Sequence, residues 1–116
     1  MLTDEQIAQR RPVWVALSEL FLDTEMDDVT AAYIARTITE SGLDSAAAEK
    51  ILYEEVGPVF GSNLLNVAGE WAGWPDDVIE SCITAYLQTA AGSQTLGAAA
   101  YRRLIADDWA RVTALI

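Results

Sequence analysis

The sequence predicts an all-α protein, a single compact domain of about six helices spanning residues 1–116. Three observations predict it. Apolar residues recur at three- and four-residue intervals through most of the chain. No segment alternates apolar and polar residues with the β-branched enrichment of a half-buried strand. Residues that start and stop helices stand where the periodicity begins and ends. At 116 residues and 52% apolar composition, with four tryptophans, the chain can bury about two thirds of its unfolded surface. Acidic disordered chains are poor in aromatic and branched residues, so the composition excludes that class.

The elements follow in order. Thr3 and Gln6 form a capping-box pattern, with Asp4 and Glu5 in the first turn where the helix dipole favours anions. Pro12 either bends this helix or opens a second one at its first turn. Val13, Trp14, Leu17, Leu20 and Phe21 follow at helical spacing, and the helix should end near Leu22. The polar connection Asp23 to Asp28 leads to a second helix over about 28–41, capped by Asp27, with Ala31, Ile34, Ala35 and Ile38 inward. Gly42 is placed to end it in the left-handed conformation. Asp44 or Ser45 caps a third helix carrying Ala48, Ile51, Leu52 and Val56, which Gly57-Pro58 should stop. A short helix is expected over about 62–68, then a compact turn from Gly69 to Trp74. Pro75-Asp76-Asp77 starts the next helix. Its stripe is Ile79, Cys82, Ile83, Tyr86, Leu87 and Ala90, ended by Gly92-Ser93. The last helix runs from about 95, with Leu96, Ala100, Leu104, Ile105, Trp109, Val112 and Ile116 inward.

Charge is the strongest functional signal. The net charge is −11, and between Glu19 and Glu80 only Arg36 and Lys50 oppose fourteen acids. A field of that sign repels nucleic acid and anionic lipid and attracts basic surfaces. Binding to nucleic acid or membrane is therefore not expected. No apolar run approaches the ~18–20 residues that a membrane helix needs, and the polar start MLTDEQIAQRR shows no secretion signal. The single cysteine, Cys82, cannot form an internal disulfide, which suits folding in a reducing cytosol and a cytoplasmic location.

Chemistry finds little support. There is no histidine, which removes the commonest general base and metal ligand. Cys82 has no base to activate it and, lying between Ile79 and Ile83, is expected to pack in the core. Lys50, the only lysine, stands among acids that keep it charged, and reads as a solvated surface residue. Asp23, Glu25 and Asp27 match the first, third and fifth places of a calcium loop. The sixth, which should be glycine, is Asp28, and the twelfth, which should be glutamate, is Ile34. Paired carboxylates for glycoside hydrolysis can be found, but Glu54 and Glu55 point to different sides of a helix, as a solvated face would. No glycine-rich phosphate loop is present. Neither an enzyme nor a cofactor nor a metal is expected. The pairs Arg10-Arg11 and Arg102-Arg103 are expected to meet acids within the domain.

Residues 53–77 combine Tyr53, Phe60, Trp71 and Trp74 with five carboxylates and several glycines. Aromatic anchors inside an acidic rim suit recognition of a basic, partly apolar surface. The same tryptophans would equally fill the core where helices converge, and Asn63 and Asn66 would satisfy turn backbone groups. The candidate partner-binding set is Asp23, Glu25, Asp27, Asp28, Glu54, Glu55, Glu70, Trp71, Trp74, Asp76 and Asp77.

The segments RRPVWVALSELFLDTE (10–25), YIARTITESGL (33–43) and ILYEEVGPVFGSNLLNVAGEWAGW (51–74) resemble an uncharacterised family of small bacterial proteins. Its members share an RRPVW-ALS-LFLDTE start and an EV-P-NLL-AGEWAG centre. The resemblance covers about 10–80. It implies a bacterial origin and carries over no activity and no catalytic residue. By analogy of class, small acidic bacterial proteins often serve as immunity proteins beside toxins. The leading expectation is a non-enzymatic protein that masks a basic toxin or effector. The alternatives are a structural or adaptor subunit, including a homodimer, and a DNA mimic that inhibits a DNA-binding protein.

Overall fold

Capping chemistry decides where the helices begin. In the computed structural model, which describes residues 2–22, 25–61, 63, 73–89 and 98–116, Thr3 and Gln6 cap α1 (Asp4–Ser18) reciprocally, each side chain bonding the other's backbone. The helix runs through Pro12 and tightens into a 3-10 turn, Glu19–Phe21. Asp27 caps α2 (Asp28–Ser41) by accepting from the Thr30 N–H at 2.8 Å. Gly42 ends it at φ 84°, a conformation that L side chains rarely adopt. Asp44 caps α3 (Ser45–Ile51) by accepting from the Ala47 N–H at 2.7 Å. Pro75 precedes α5 (Asp76–Thr89), and its carbonyl accepts from the Ile79 N–H. The last helix is α6 (Ala98–Thr113).

Gly57-Pro58 does not end the third helix. A π turn, Leu52–Val56, links α3 to a further α-helical turn, α4 (Gly57–Phe60), so that 45–60 form one continuous rod. The wider turn is the reason. In an α-helix the Pro58 ring would meet the Glu54 carbonyl, and Pro58 has no N–H to donate. The π turn moves the Gly57 N–H back to the Leu52 carbonyl. The Tyr53 carbonyl, which Pro58 cannot serve, instead accepts from the Tyr101 hydroxyl at 3.2 Å. Among the described residues there are thus five helical rods and no strand. The expected helix over about 62–68, most of the turn before Trp74, the break at Gly92-Ser93, Asn66, Ala90 and Leu96 lie outside the described residues, as does the side chain of Ala100.

The rods share one core. Trp14, Leu17 and Phe21 from α1 and its 3-10 turn meet Ile34 and Ile38 of α2, Leu52 and Val56 of the π turn, Ile79 and Ile83 of α5, and Ile105 and Val112 of α6. The Cα radius of gyration is 13.2 Å, close to the roughly 13 Å of a compact domain of this length. The inner stripes of α1, α2 and α3 are those expected. Two stripes need correcting. On α5 the core takes Ile79 and Ile83, while Cys82 is exposed. A four-residue step closes on one helical face, and the intervening Cys82 is rotated away from it. On α6 the buried set is Tyr101, Ile105, Trp109 and Val112, whereas Leu104 and Ile116 point outward, 54% and 43% exposed. The exposed thiol should react with a disulfide reagent in the native protein without denaturant; a thiol that reacts only after unfolding would contradict this placement.

Tyr101 fills a groove made by two glycines one turn apart. A Cβ at Gly57 would stand 2.4 Å from its hydroxyl, and one at Gly61 would stand 2.5 Å from its ring. Phe21 meets the same ring edge-on at 5.7 Å between centroids. A side chain at either glycine would push the ring out of this slot.

Candidate functional site

The acids of the central segment serve two purposes. Some hold the fold together. Glu55 is turned inward, where one carboxylate oxygen accepts from the Trp14 indole N–H at 2.8 Å and the other pairs with Arg10. Glu49, on the same rod, accepts from the Trp109 indole N–H at 3.0 Å. Asp28 pairs with Arg111 at 2.5 Å, while Arg111 also donates to the Met26 carbonyl at 2.7 Å. This ties the last turn of α6 to the start of α2. Glu80 pairs with Arg11 at 3.4 Å. Arg10 and Arg11 therefore meet acids within the domain, as expected, whereas among the described residues Arg102 and Arg103 have no carboxylate within ion-pair distance.

Other acids remain in solvent. Glu25, Asp27, Glu40, Asp44, Glu54, Asp76 and Asp77 are exposed. Among the described residues none of them has a basic side chain within ion-pair distance. Asp27 holds its carboxyl below the usual range because the Thr30 backbone N–H bonds the charged form. Asp108 is raised by burial and by nearby Asp107 and Glu25, with Arg111 opposing.

A second grouping draws on three elements. Glu19 of the 3-10 turn and Asp76 of α5 both act on Tyr33 of α2 through their charges. Burial raises the Tyr33 hydroxyl, and the charges of Glu19 and Asp76 raise it further against Arg36. Burial alone raises Glu19 above its ordinary value. A carboxyl with a raised folded value loses stability as pH rises through its titration, because the folded state then holds a charge it disfavours. Glu19→Gln should therefore raise the melting temperature at neutral pH. The gain should vanish below about pH 4, where the carboxyl is protonated in both states. An equal gain at both pH values would refute the assignment.

The candidate set is thus divided. Glu25, Asp27, Glu54, Asp76 and Asp77 are accessible. Asp28 is accessible but paired with Arg111. Glu55 is partly buried and engaged by Trp14 and Arg10. Trp74 is half-buried, with its ring 4.5 Å from that of Phe60, and so closes one side of the core. Asp23, Glu70 and Trp71 lie outside the described residues. Asn63 donates to the Phe21 carbonyl at 2.7 Å, so it does satisfy a turn backbone group.

Sequence reasoning did not foresee one further feature. An open cleft of about 450 Å³ lies along the rod 45–60, lined by Ala46, Glu49, Lys50, Tyr53, Glu54 and Arg102. The Arg102 guanidinium stacks 4.1 Å above the Tyr53 ring. Nothing in the spacing of residues 46–54 and 102 signals that they meet; helix packing alone brings them together. Among the described residues, no group of three or more His, Cys, Asp or Glu is placed to hold a metal ion, and no helix is long and apolar enough to cross a membrane.

Fold and surface together define a small all-α domain whose outward carboxylates are left largely unneutralised. The chain belongs to the family described as "Domain of unknown function (DUF7079)", which matches residues 8–115. No curated protein and no solved structure matches it.

Proposed function

We propose that this domain is a non-enzymatic binding protein that masks a basic partner, most concretely an immunity protein or inhibitor of a basic toxin or effector, acting in the cytoplasm. One observation carries the reading: among the described residues, the exposed acids Glu25, Asp27, Glu40, Asp44, Glu54, Asp76 and Asp77 have no basic side chain within ion-pair distance. Unneutralised charge costs folding stability through self-repulsion, and it speeds encounter with a basic surface. The accessible subset Glu25, Glu54, Asp76 and Asp77 supplies the steering field, with Asp28 able to exchange Arg111 for a partner's base. Trp74 contributes an edge rather than a free anchor, since its ring already packs on Phe60.

The test is capture from a lysate of the encoding organism at low and high salt. It is repeated with a variant in which Glu25, Glu54, Asp76 and Asp77 are changed to lysine. A basic protein held by the parent, released at high salt and not captured by the folded variant, is the expected result. Its association with the parent should slow by about tenfold or more between low and high salt. Equal capture by the folded variant overturns the proposal. Recovery of only further copies of the chain would favour the homodimer or adaptor reading. A DNA-binding protein displaced by added DNA would favour mimicry.

A further inference from the structure

The cleft along α3 holds charges of both signs that do not cancel each other. Lys50 and Arg102 line it, as do Glu49 and Glu54. Yet among the described residues neither cation has a carboxylate within ion-pair distance, although Arg10, Arg11 and Arg111 each have one. Lys50 and Glu54 are four residues apart, a spacing that places them side by side on an α-helix. The π turn begins between them, at Leu52, and its wider winding breaks that register. Arg102 lies over the Tyr53 ring instead, 4.1 Å from its centroid. A guanidinium has five N–H donors, so Arg102, lying over the Tyr53 ring and also reaching the Tyr101 hydroxyl, keeps others for a carboxylate or phosphate. Glu49 is partly engaged by Trp109, whereas Glu54 is exposed and unpaired.

A simple anion fits poorly here. It would enter against the field of a chain of net charge −11 and find two carboxylates in the same cleft. A simple cation would meet Lys50 and Arg102. A molecule carrying both charges a few bonds apart, and no net charge, meets neither objection. We propose that this cleft binds a free α-amino acid. Arg102 and Lys50 receive the carboxylate, Glu54 receives the ammonium group, and Ala46 with the edge of Tyr53 borders the side chain. The cleft is open to solvent, and at about 450 Å³ it admits one amino acid without enclosing it. This site shares Glu54 with the steering acids but not Glu25, Asp76 or Asp77, and its occupancy does not require the protein partner.

Amide-resolved NMR of the isolated chain tests it. Each of the twenty L-amino acids is titrated singly to roughly 10 mM, a range that detects millimolar dissociation constants. The tightest binder is then compared with its N-acetyl derivative and its carboxamide. At least one amino acid should saturate, with shifts centred on residues 46–54 and 102. Both derivatives should bind at least about tenfold more weakly, since each leaves one charged pair unmade. Arg102→Ala, at an exposed position, should remove the saturation while leaving the spectrum otherwise folded. Any of three outcomes would overturn the proposal: no saturation by any amino acid, shifts centred elsewhere, or equal affinity for the N-acetyl derivative. The last would make the cleft an anion site. None of them bears on capture of a basic protein.

Discussion

Tyr101→Ala should lower the stability of the domain by about 3–5 kcal/mol, the cost of truncating a buried aromatic ring. At the lower end of the roughly 5–15 kcal/mol total of such domains, this loss would unfold a large share of the molecules. The ring is 3% exposed and wedged between Gly57 and Gly61 on one side and Phe21 on the other. Its hydroxyl closes the carbonyl that Pro58 leaves open. Tyr101→Phe separates the two contributions, removing the hydroxyl alone and costing about 1–3 kcal/mol through the stranded carbonyl. The slot itself is tested by Gly61→Ala. Its clash should cost about 1–3 kcal/mol, less the roughly 0.5–1 kcal/mol that alanine gains over glycine within a helix. Urea unfolding of the single and double variants decides the matter. The cost of Gly61→Ala should disappear, or reverse, when residue 101 is already alanine. An unchanged cost in that background would mean that the ring and the glycine do not compete for the same space.

Glu55→Ala is the second large effect, about 2–3 kcal/mol. The Glu55 side chain is 14% exposed and that of Arg10 26%, so their attraction is only partly screened. The greater loss falls on Trp14, which is fully buried and would keep an indole N–H with no acceptor. Glu55→Gln retains an acceptor oxygen for that N–H while ending the ion pair, and should cost less than half as much. Arg10→Ala should resemble Glu55→Gln rather than Glu55→Ala. If all three variants unfold at the same urea concentration, the carboxylate is not the link between α1 and the rod.

What could be read from the chain beforehand was local. Asp27, Gly42 and Asp44 mark their helix ends because each acts on backbone groups within three residues of itself. The stripes of α1, α2 and α3 were legible because regular helical spacing carries them. Gly57-Pro58 misled because its usual effect is local, whereas a π turn upstream and a hydroxyl from α6 rescue the helix here. Cys82, Leu104 and Ile116 misled for another reason. An apolar stripe broader than the face the core can cover leaves some members outside, and only the neighbouring rods decide which. Glu55 was read as surface because nothing in a sequence shows that an indole 41 residues earlier needs an acceptor. The accessible acids of the candidate site, by contrast, needed only the local excess of carboxylates over bases.

The two indole bonds to the rod 45–60 make the domain's disassembly optically separable. Trp14 reports from α1 through Glu55, and Trp109 reports from α6 through Glu49. Both rings are almost wholly shielded from water, so each should emit at short wavelength until its own helix leaves the rod. Two variants, one keeping only Trp14 and the other only Trp109 of the four tryptophans, with the rest changed to Phe, would show by fluorescence whether the two flanking helices depart together or one after the other.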